Sequence, residues 1–339
     1  MAEYNPSRRE MLSSTIAGAV ALSAGAKASA DLNSRSTSAM PMRRFGRHDL
    51  DVSLLCVGGY HIGMCGADEG IRIIQEAIDH GATFMDNAWE YHKGESEIRM
   101  GKALAGGRRE KVFLMTKHHG RDKQTAMKHL EDSLKRLKTD YVDLWQYHEI
   151  VYDRDPDMIF GADPKATDAG IEAAELAKKQ GKVRFVGFTG HKKPEQLLKM
   201  LAFDYKWDAV QMPLNPFDGT FQSFEKWVLP VLVKRGIAPL AMKTRGSGNL
   251  LKTGTVTVEE CWRYAAALPV ATIVSGMESI DLLRDNLRLA QTLKPMSPDE
   301  MEALRRKTTE AAATGKHEPY KSTINFDGPI GRELHGVKS

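Results

Sequence analysis

Cysteine is scarce in this chain of 339 residues, and its arrangement excludes several kinds of protein. The three cysteines, Cys56, Cys65 and Cys261, form no C-x-x-C pair, so neither a zinc ribbon nor a dithiol redox motif is indicated. Their odd number argues against a complete disulfide framework. Cys56 lies within an apolar run, and we interpret it as a core residue.

The chain also lacks a large excess of positive or negative charge. The chain carries 48 Lys and Arg residues against 44 Asp and Glu residues, which is a formal net charge of +4. Nucleic-acid-binding surfaces concentrate positive charge, so we predict no nucleic-acid partner. The apolar fraction of 42% and the charged fraction of 27% are those of an ordinary globular protein.

Several enzyme motifs are absent as well. Residues 58–63 follow the first predicted strand and have the sequence G-G-Y-H-I-G instead of G-x-G-x-x-G. This argues against a doubly wound dinucleotide-binding sheet. The chain has no G-x-S-x-G motif, and no paired carboxylates of the glycosidase kind are indicated.

The N-terminus has the order of a bacterial export signal. Arg8 and Arg9 precede a weakly apolar stretch from Ser14 to Ala24, and residues 28–30 have the sequence A-S-A. A charged region, an apolar region and an A-x-A site in this order are typical of a signal peptide. Paired arginines indicate the twin-arginine route. The apolar stretch is too short to span a membrane.

We therefore predict a twin-arginine signal peptide over residues 1–30 and a linker over residues 31–41. The alternative is a leader that contains two arginines by chance. The predicted location is the periplasm, reached through the twin-arginine export machinery, or the cytoplasm if the signal is not used. Because this route carries folded proteins, it also suggests a bound cofactor.

Between residues 52 and 292, apolar runs of strand length alternate with amphipathic helical patterns. The predicted strands are Val52–Gly58, Thr83–Asn87, Val112–Lys117, Val142–His148, Val183–Thr189, Ala209–Leu214, Ile237–Lys243 and Ala271–Gly276. The predicted helices are Asp68–His80, Glu95–Leu104, Thr125–Leu137, Ala166–Gln180, Pro194–Leu201, Phe221–Lys234, Val258–Ala267 and Ile280–Thr292. Eight such units over about 240 residues predict an α/β fold, a closed parallel (β/α)8 TIM barrel.

Two further elements flank the predicted barrel. Residues 42–51 contain turn residues between short alternating stretches, which predicts an N-terminal β-hairpin. Ser297, Pro298 and Glu300 form a helix-start pattern, which predicts an extra C-terminal helix over residues 298–313. The barrel domain is thus expected over residues 42–313, followed by an irregular C-terminal tail over residues 314–339.

Four polar residues end or follow predicted strands. Asp86, Lys117 and His148 lie at the ends of the second, third and fourth strands, and Tyr91 follows Asp86 by five residues. In a parallel barrel the C-terminal ends of all strands meet on one face, where catalytic groups lie. We therefore expect these four side chains to lie together.

Their chemistry suits proton transfer to a carbonyl oxygen. A free tyrosine has a pKa of about 10 and is a poor acid near neutrality. We expect the ammonium of Lys117 to lower the pKa of Tyr91, and Asp86 to keep that ammonium charged. His148 can orient a substrate oxygen by a hydrogen bond, while the phenol protonates it.

These residues belong to a longer pattern. Residues 86–104 have the sequence D-N-A-x-x-Y-x-x-G-x-S-E-x-x-x-G-K-A-L, and matching segments occur at residues 116–117, 140–148 and 181–187. Over residues 42–292 the chain resembles the aldo-keto reductase family. The resemblance implies interconversion of an aldehyde or ketone with an alcohol, using NADP or NAD, with Tyr91 as the acid.

The resemblance also implies residues that contact the nicotinamide. Thr189 and His191 stand where the family usually has Ser and Asn, and Gln211 stands where the family has its amide-binding Gln. Met242 replaces the aromatic residue that stacks on the nicotinamide ring, and thioethers pack well on rings.

Phosphate and adenosine contacts follow in the same way. Lys243 and Arg245 would lie near the pyrophosphate. Gly276, at the end of the eighth strand, is also assigned to the cofactor. Arg284 is the nearest candidate base for the 2′-phosphate of NADP, so NADP is favoured only slightly over NAD. Asn286 resembles the residue that contacts adenine.

Substrate contacts are less specific. Tyr60 and Trp89 are candidates for the pocket wall, and the polar loop over residues 149–165 suggests a polar or sugar-like substrate. A barrel metallohydrolase is an alternative because histidines lie near several strand ends. However, His118 and His119 are adjacent and cannot easily share one metal, so no metal site is predicted. A cofactor-binding sensor without turnover is a second alternative.

Overall fold

The structure is a computed structural model that describes residues 39–164, 168–292 and 294–337. The predicted signal peptide over residues 1–30, and the linker up to residue 38, lie outside the described residues. No helix in the described ranges is both long enough and apolar enough to cross a membrane.

A two-stranded hairpin closes the N-terminal end of the barrel. Strand β1 (Met42–Arg44) pairs antiparallel with β2 (Asp51–Ser53), which confirms the predicted hairpin. Phe45, between these strands, is fully buried, and its ring lies 4.9 Å from that of Phe113. The hairpin therefore contributes to the hydrophobic core.

Eight parallel strands form a closed barrel, which confirms the predicted fold. They are β3 (Leu55–Val57), β4 (Phe84–Met85), β5 (Phe113–His118), β6 (Val142–Tyr147), β7 (Val183–Thr189), β8 (Ala209–Pro213), β9 (Ala238–Met242) and β10 (Thr272–Ser275). The barrel closes where β10 pairs with β3, with Ile273 opposite Leu55.

The first predicted strand, Val52–Gly58, is divided in the structure. Asp51–Ser53 pairs within the hairpin, whereas Leu55–Val57 pairs within the barrel. Between them, the Leu54 amide donates a hydrogen bond to the Pro41 carbonyl. The continuous apolar run predicts one strand. The pattern of apolar residues does not show that the hydrogen-bonding partner changes within the run.

Helices cover the outside of the barrel. The longer ones are Ala67–Asp79, Glu95–Ala103, Lys123–Leu137, Ile171–Lys179, Pro194–Ala202, Leu229–Arg235, Val258–Ala267, Ile280–Thr292 and Pro298–Ala312, and shorter ones are Gly59–Met64, Asp155–Ile159, Phe224–Trp227, Pro319–Ser322 and Pro329–Leu334. The predicted helix over residues 221–234 is in fact two helices that meet at Val228. Pro230 lies in the first turn of the second helix, a position that proline tolerates, unlike a helix interior.

The C-terminal part is more ordered than predicted. The extra helix is confirmed as Pro298–Ala312, with Ser297 and Glu300 forming a capping box. The tail after it was expected to be irregular, but it contains two short helices, Pro319–Ser322 and Pro329–Leu334. Tertiary contacts hold this tail, and local sequence patterns do not reveal such contacts.

The hydrophobic core leaves one end of the barrel free. A cluster that includes Phe45, Cys56, Phe84, Met115 and Leu144 fills the interior beside the hairpin. A larger cluster lies between the strands and the surrounding helices. The C-terminal ends of the strands are therefore available to line a cavity.

Candidate active site

The C-terminal ends of the barrel strands surround a cavity of about 1140 Å³. Asp86, Tyr91 and His148 line it, and Lys117 lies directly behind Tyr91. The structure therefore brings together the four residues that the sequence placed at strand ends.

A buried ion pair lies at the bottom of the cavity. Lys117 Nζ is 2.5 Å from Asp86 Oδ1 and donates a second hydrogen bond to the Asn87 carbonyl at 2.7 Å. Its third contact is the Tyr91 hydroxyl at 3.2 Å. Lys117 is 1% exposed and Asp86 is 3% exposed. A buried ammonium with three acceptors around it is well compensated.

The predicted effect of Lys117 on Tyr91 is wrong in this structure. Burial raises the pKa of Tyr91 well above its ordinary value, and the charges of Asp86, Glu90 and Glu149 raise it further. Because Asp86 neutralises Lys117 at close range, the ammonium does not outweigh these effects. Tyr91 is therefore a neutral phenol that can donate a proton.

A tight turn directs Tyr91 into the cavity. The Trp89 amide donates to the Lys117 carbonyl at 2.9 Å, which holds this loop against β5. His92 and Lys93 then have positive φ values of 51° and 58°, an uncommon conformation for residues other than glycine. Such local strain persists only where the surrounding structure supports it, and it is concentrated at functional sites.

Glu90 contacts two histidines, and no sequence pattern predicts this cluster. Its carboxylate oxygens lie 3.0 Å from His148 Nδ1 and 2.8 Å from His119 Nε2. Burial would raise the pKa of Glu90, but the contacts with His119 and His148 lower it below its usual range. Burial lowers the pKa of His148 to about 3, so this imidazole is neutral at physiological pH.

A signal for His119 was present in the sequence. Alternate residues of a strand point to opposite sides, so Lys117 and His119 share a side that His118 does not. In the structure, His118 instead stacks on Trp145 at 4.0 Å. His119 could thus have been predicted beside Lys117, but no local pattern marked Glu90 as its partner.

Glu149 is a second acidic group near the site that no sequence motif marks. It follows His148 directly, has a positive φ of 53° and is buried. Burial raises its pKa to about 7, and the charge of Glu90 contributes. Its carboxylate accepts a hydrogen bond from the Gly328 amide at 2.9 Å. The C-terminal tail therefore reaches the active site.

The residues assigned to the nicotinamide line one side of the cavity. Thr189, His191, Gln211 and Met242 all belong to its wall. His191 is 4% exposed, and its Nε2 has no hydrogen-bond partner among the described residues. Burial lowers the pKa of His191 well below its ordinary value. A neutral, unpartnered imidazole is available to a polar ligand such as a carboxamide.

Lys243 and Arg245 form the basic part of the cavity. Lys243 Nζ lies 5.3 Å from the ring centre of Tyr320 and 5.5 Å from that of Phe326. No acceptor in the described part of the chain takes a hydrogen bond from this ammonium, and burial lowers its pKa. Among the described residues, Arg245 donates only to Ser275 Oγ, at 3.3 Å. Two poorly compensated cations fit the pyrophosphate of a dinucleotide.

Two residues that were assigned to the adenosine end lie elsewhere. Arg284 is exposed on the outer surface, where its Nε donates to Glu76 Oε1 at 2.7 Å, and it does not line the cavity. Asn286 is buried behind Ser275, from which its side-chain oxygen accepts a hydrogen bond at 3.0 Å. Gly276 does line the cavity. These positions follow from helix orientation, which sequence spacing alone could not supply.

Tyr60 and Trp89 both belong to the cavity wall. Tyr60 is 50% exposed, and its ring packs edge-on against Tyr91 at 5.4 Å. Trp89 stacks on His129 at 3.7 Å, and its indole N–H donates to Asp132. Trp89 is therefore held in place by two contacts, whereas Tyr60 is half exposed at the cavity wall.

Comparison with known proteins identifies the class. Residues 54–260 match the Aldo/keto reductase family, and the chain belongs to this family of oxidoreductases. Among its relatives, the uncharacterized oxidoreductase YqkF of Bacillus subtilis is 26% identical over 318 residues, which cover 80% of this chain and 97% of YqkF.

Two further proteins are similar over most of their length. L-galactose dehydrogenase of Arabidopsis thaliana is 28% identical over 307 residues, which cover 76% of this chain and 91% of the plant protein. The fold matches the holo form of aldo-keto reductase AKR11C1 from Bacillus halodurans with a TM-score of 0.67 and 24% identity, covering 82% of this chain and 99% of that one.

Proposed function

We propose that this protein interconverts a carbonyl compound and an alcohol with NADP or NAD, and that Tyr91 transfers the proton. The observation that carries the proposal is the contact of 3.2 Å between the Tyr91 hydroxyl and Lys117 Nζ, beside a cavity of dinucleotide size. Asp86 holds Lys117 in place from the other side.

In the reducing direction, the bound dinucleotide would supply the hydride. The Tyr91 hydroxyl donates its proton to the substrate oxygen, and Lys117 stabilises the phenolate that remains. His148 lies beside Tyr91, with a ring separation of 5.6 Å, and orients the same oxygen. The buried ion pair acts in a water-poor site, where electrostatic stabilisation of charge is strong.

The dinucleotide would lie between two groups of residues. Thr189, His191 and Gln211 suit the nicotinamide amide, and Lys243 and Arg245 suit the pyrophosphate. The sequence favoured NADP through Arg284, but that residue is outside the cavity. The wall beside Gly276 instead carries the acidic Glu278. We therefore expect NAD to bind at least as tightly as NADP, which titration of the protein with each dinucleotide measures.

The substrate we propose is polyhydroxylated and sugar-like. Glu90, Glu149 and Asp327 are among the residues that line the cavity, and carboxylates accept hydrogen bonds from hydroxyl groups. The similarity to L-galactose dehydrogenase supports this class of substrate. A panel of sugars, polyols and simple aldehydes, monitored through cofactor absorbance, would identify the class.

Replacing Tyr91 by Phe tests the proposed acid. The Tyr91→Phe protein keeps the ring but loses the proton, so we expect kcat for carbonyl reduction to fall about 10²–10⁴-fold. Dissociation constants for the dinucleotide should change less than about twofold, because Tyr91 is not assigned to the cofactor. Retention of more than a tenth of wild-type kcat would exclude Tyr91 as the proton donor.

We extend the proposal to location. The arginine pair at residues 8 and 9 supports export by the twin-arginine route, with the cofactor loaded in the cytoplasm and retained afterwards. In a bacterial host, we expect processed protein in the periplasm for the full chain and none when both Arg8 and Arg9 are replaced by Lys. Washed protein that releases no dinucleotide on denaturation would contradict cofactor retention.

A further inference from the structure

Three side chains with metal-ligating atoms meet beside the proposed proton donor. Glu90, His119 and His148 each place one such atom within 4.8 Å of the other two. The Glu90 carboxylate lies 2.8 Å from His119 Nε2 and 3.0 Å from His148 Nδ1. Glu90 belongs to the loop after β4, and the two histidines directly follow β5 and β6. Closure of the barrel therefore brings the three ligands together.

The short contacts in this cluster are not hydrogen bonds. His119 Nδ1, His119 Nε2 and His148 Nδ1 have no hydrogen-bond partner among the described residues. His119 is 3% exposed and His148 is 7% exposed. Buried polar atoms are nearly always paired, and an unpaired one needs a physical reason, such as a water or an ion that it binds. The lone pairs of these nitrogens are thus available to a ligand.

The donor set of the cluster suits a divalent transition-metal ion. Two imidazoles and one carboxylate are the protein ligands of a known class of zinc site, in which a further position stays open. At Zn–N and Zn–O lengths of about 2.0–2.2 Å, tetrahedral ligands lie about 3.3 Å apart. The carboxylate need therefore move away from each ring by only a few tenths of an ångström. Mg²⁺ and Ca²⁺ prefer oxygen ligands, so the imidazoles disfavour them.

The cavity offers a path to this cluster. Glu90 and His148 line the cavity wall, so an ion that enters the cavity reaches two of the three ligands directly. We propose that Glu90, His119 and His148 form a binding site for Zn²⁺, with the open coordination position toward the cavity.

No metal site was predicted from the sequence, because His118 and His119 are adjacent and cannot easily share one ion. In the structure only His119 belongs to the cluster, and His118 stacks on Trp145 at 4.0 Å. The ring nitrogens of His118 are also buried and unpartnered among the described residues. Unpartnered nitrogens alone therefore do not define the site, which needs the nearby carboxylate of Glu90 as well. His118 is a matched control for His119.

Binding is measured first, without substrate. The full chain is treated with a chelator, dialysed and titrated calorimetrically with Zn²⁺, and we expect a single site with a Kd of about 1 µM or lower. His119→Gln should weaken binding about 100-fold or more, because it removes one of three ligands. His118→Gln should bind Zn²⁺ as the wild type does, and excess Mg²⁺ should not compete.

Nitrogen-15 spectra of the histidine rings identify the ligands in the wild-type protein, so this test does not require any variant to fold. The chain has 11 histidines, whose ring signals are assigned through correlation with the backbone. On addition of Zn²⁺, we expect the ring signals of His119 and His148 to shift far more than those of His118.

Zn²⁺ at this site would affect the proposed reaction through His148. The ion holds the imidazole that orients the substrate oxygen, and a displacement of about 1 Å at a positioning group costs about 100-fold in rate. We therefore expect saturating Zn²⁺ to lower the rate of carbonyl reduction at least about tenfold, and a chelator to restore it. In His119→Gln, compared with its own metal-free rate, the same inhibition should need about 100-fold more Zn²⁺. This consequence rests on the proposed function, whereas the binding site does not.

The outcomes separate the site from the reaction. Saturation only at millimolar Zn²⁺, equal affinity in His119→Gln and wild type, or unshifted ring signals of His119 and His148 would each overturn the site. Unchanged turnover of the Zn²⁺-loaded enzyme would overturn the inhibition. Failure of the proposed function is a different result, in which no alcohol or carbonyl compound reacts with either dinucleotide although Zn²⁺ still binds.

Discussion

At the scale of single residues, the site depends on buried ionisable groups that compensate one another. Lys117 and Asp86 form a contact of 2.5 Å at the bottom of the cavity, and Glu90 lies between two imidazoles. Removing one partner of such a pair leaves an uncompensated charge, which is far more costly than losing an exposed pair.

Lys117→Met should therefore destabilise the fold as well as the site. The change leaves Asp86 buried without its cation, so we expect the free energy of unfolding to fall by about 3–5 kcal/mol. Denaturant unfolding measures this, and the Asp86→Asn/Lys117→Met double variant should recover part of the loss. Arg263→Met, which removes the partner of the exposed Glu300, should cost less than about 1 kcal/mol. Equal losses for the two single variants would contradict compensation within the site.

Glu149 makes a contribution to stability that depends on pH. Its pKa is about 7 in the folded protein against an ordinary value of 4.5. Between these pH values the folded state keeps a proton that the unfolded state has lost, so stability falls as pH rises. The difference corresponds to about 3 kcal/mol lost between pH 4.5 and pH 7.

Glu149→Gln should remove this pH dependence. We expect the free energy of unfolding of the variant, relative to wild type, to increase between pH 5 and pH 7.5, as measured in guanidinium. Replacement of the exposed Glu172 by Gln serves as the control and should follow the wild type. A constant difference for Glu149→Gln would show that its carboxyl titrates normally.

At the scale of secondary-structure elements, the C-terminal tail completes the cavity wall. The short helix Pro319–Ser322 is held to the barrel by fully buried Lys321, whose Nζ lies 2.7 Å from Asp218. This contact places Phe326, Asp327 and Gly328 at the cavity. The tail therefore lies where it could slow the release of a bound dinucleotide.

Gly328→Ala tests this arrangement. A Cβ at residue 328 would lie 2.4 Å from Glu149 Oε2, so we expect the alanine to break the contact between the tail and Glu149. Hydrogen exchange in residues 319–337 and the dissociation rate of the dinucleotide should both increase. Gly331→Ala is the matched control, because its Cβ would have ordinary contacts at 3.7 Å or more. Unchanged exchange in Gly328→Ala would show that the tail does not depend on this contact.

At the scale of the whole molecule, the residues that form the hydrophobic core and the residues proposed for catalysis occupy different parts of the barrel. The hydrophobic clusters fill the barrel interior beside the hairpin and the layer between strands and helices. The four candidate catalytic residues, Asp86, Tyr91, Lys117 and His148, lie at the opposite end, around the cavity. Residues at the ends of strands in both halves of the barrel line that cavity, among them Asp86, Thr189, Met242 and Ser275. Binding of a ligand there should therefore stabilise the whole fold.

Dinucleotide binding should therefore raise the unfolding temperature. At a free concentration of 100 times the dissociation constant, we expect about 2.7 kcal/mol of added stability. Thermal unfolding with equal concentrations of NAD and NADP would compare the two, and we expect NAD to give at least as large an increase. No increase with either dinucleotide would contradict cofactor binding at this site.

Much of the fold followed from patterns that are local in sequence. Alternating strand and helix patterns predicted the barrel, and residues 258–267 and 280–292 form helices with the predicted bounds. Ser297 and Glu300 marked the start of the last long helix, since capping depends on neighbouring residues alone. Asp86, Lys117 and His148 could be placed together because strand ends in a parallel barrel share one face.

What only the tertiary structure decided involves residues far apart in the chain. Glu90 contacts His119 and His148 across three loops, and the tail reaches Glu149 from 179 positions away. The sequence assigned Arg284 to a phosphate, but in the structure its side chain lies on the outer surface and binds Glu76. The side of a helix that faces the cavity is set by tertiary packing. The sequence by itself determined the order of the strands and helices, and it identified the residues that are able to take part in catalysis. Their partners, and hence their charges and protonation states, depended on burial and on distances that arise only when the barrel closes.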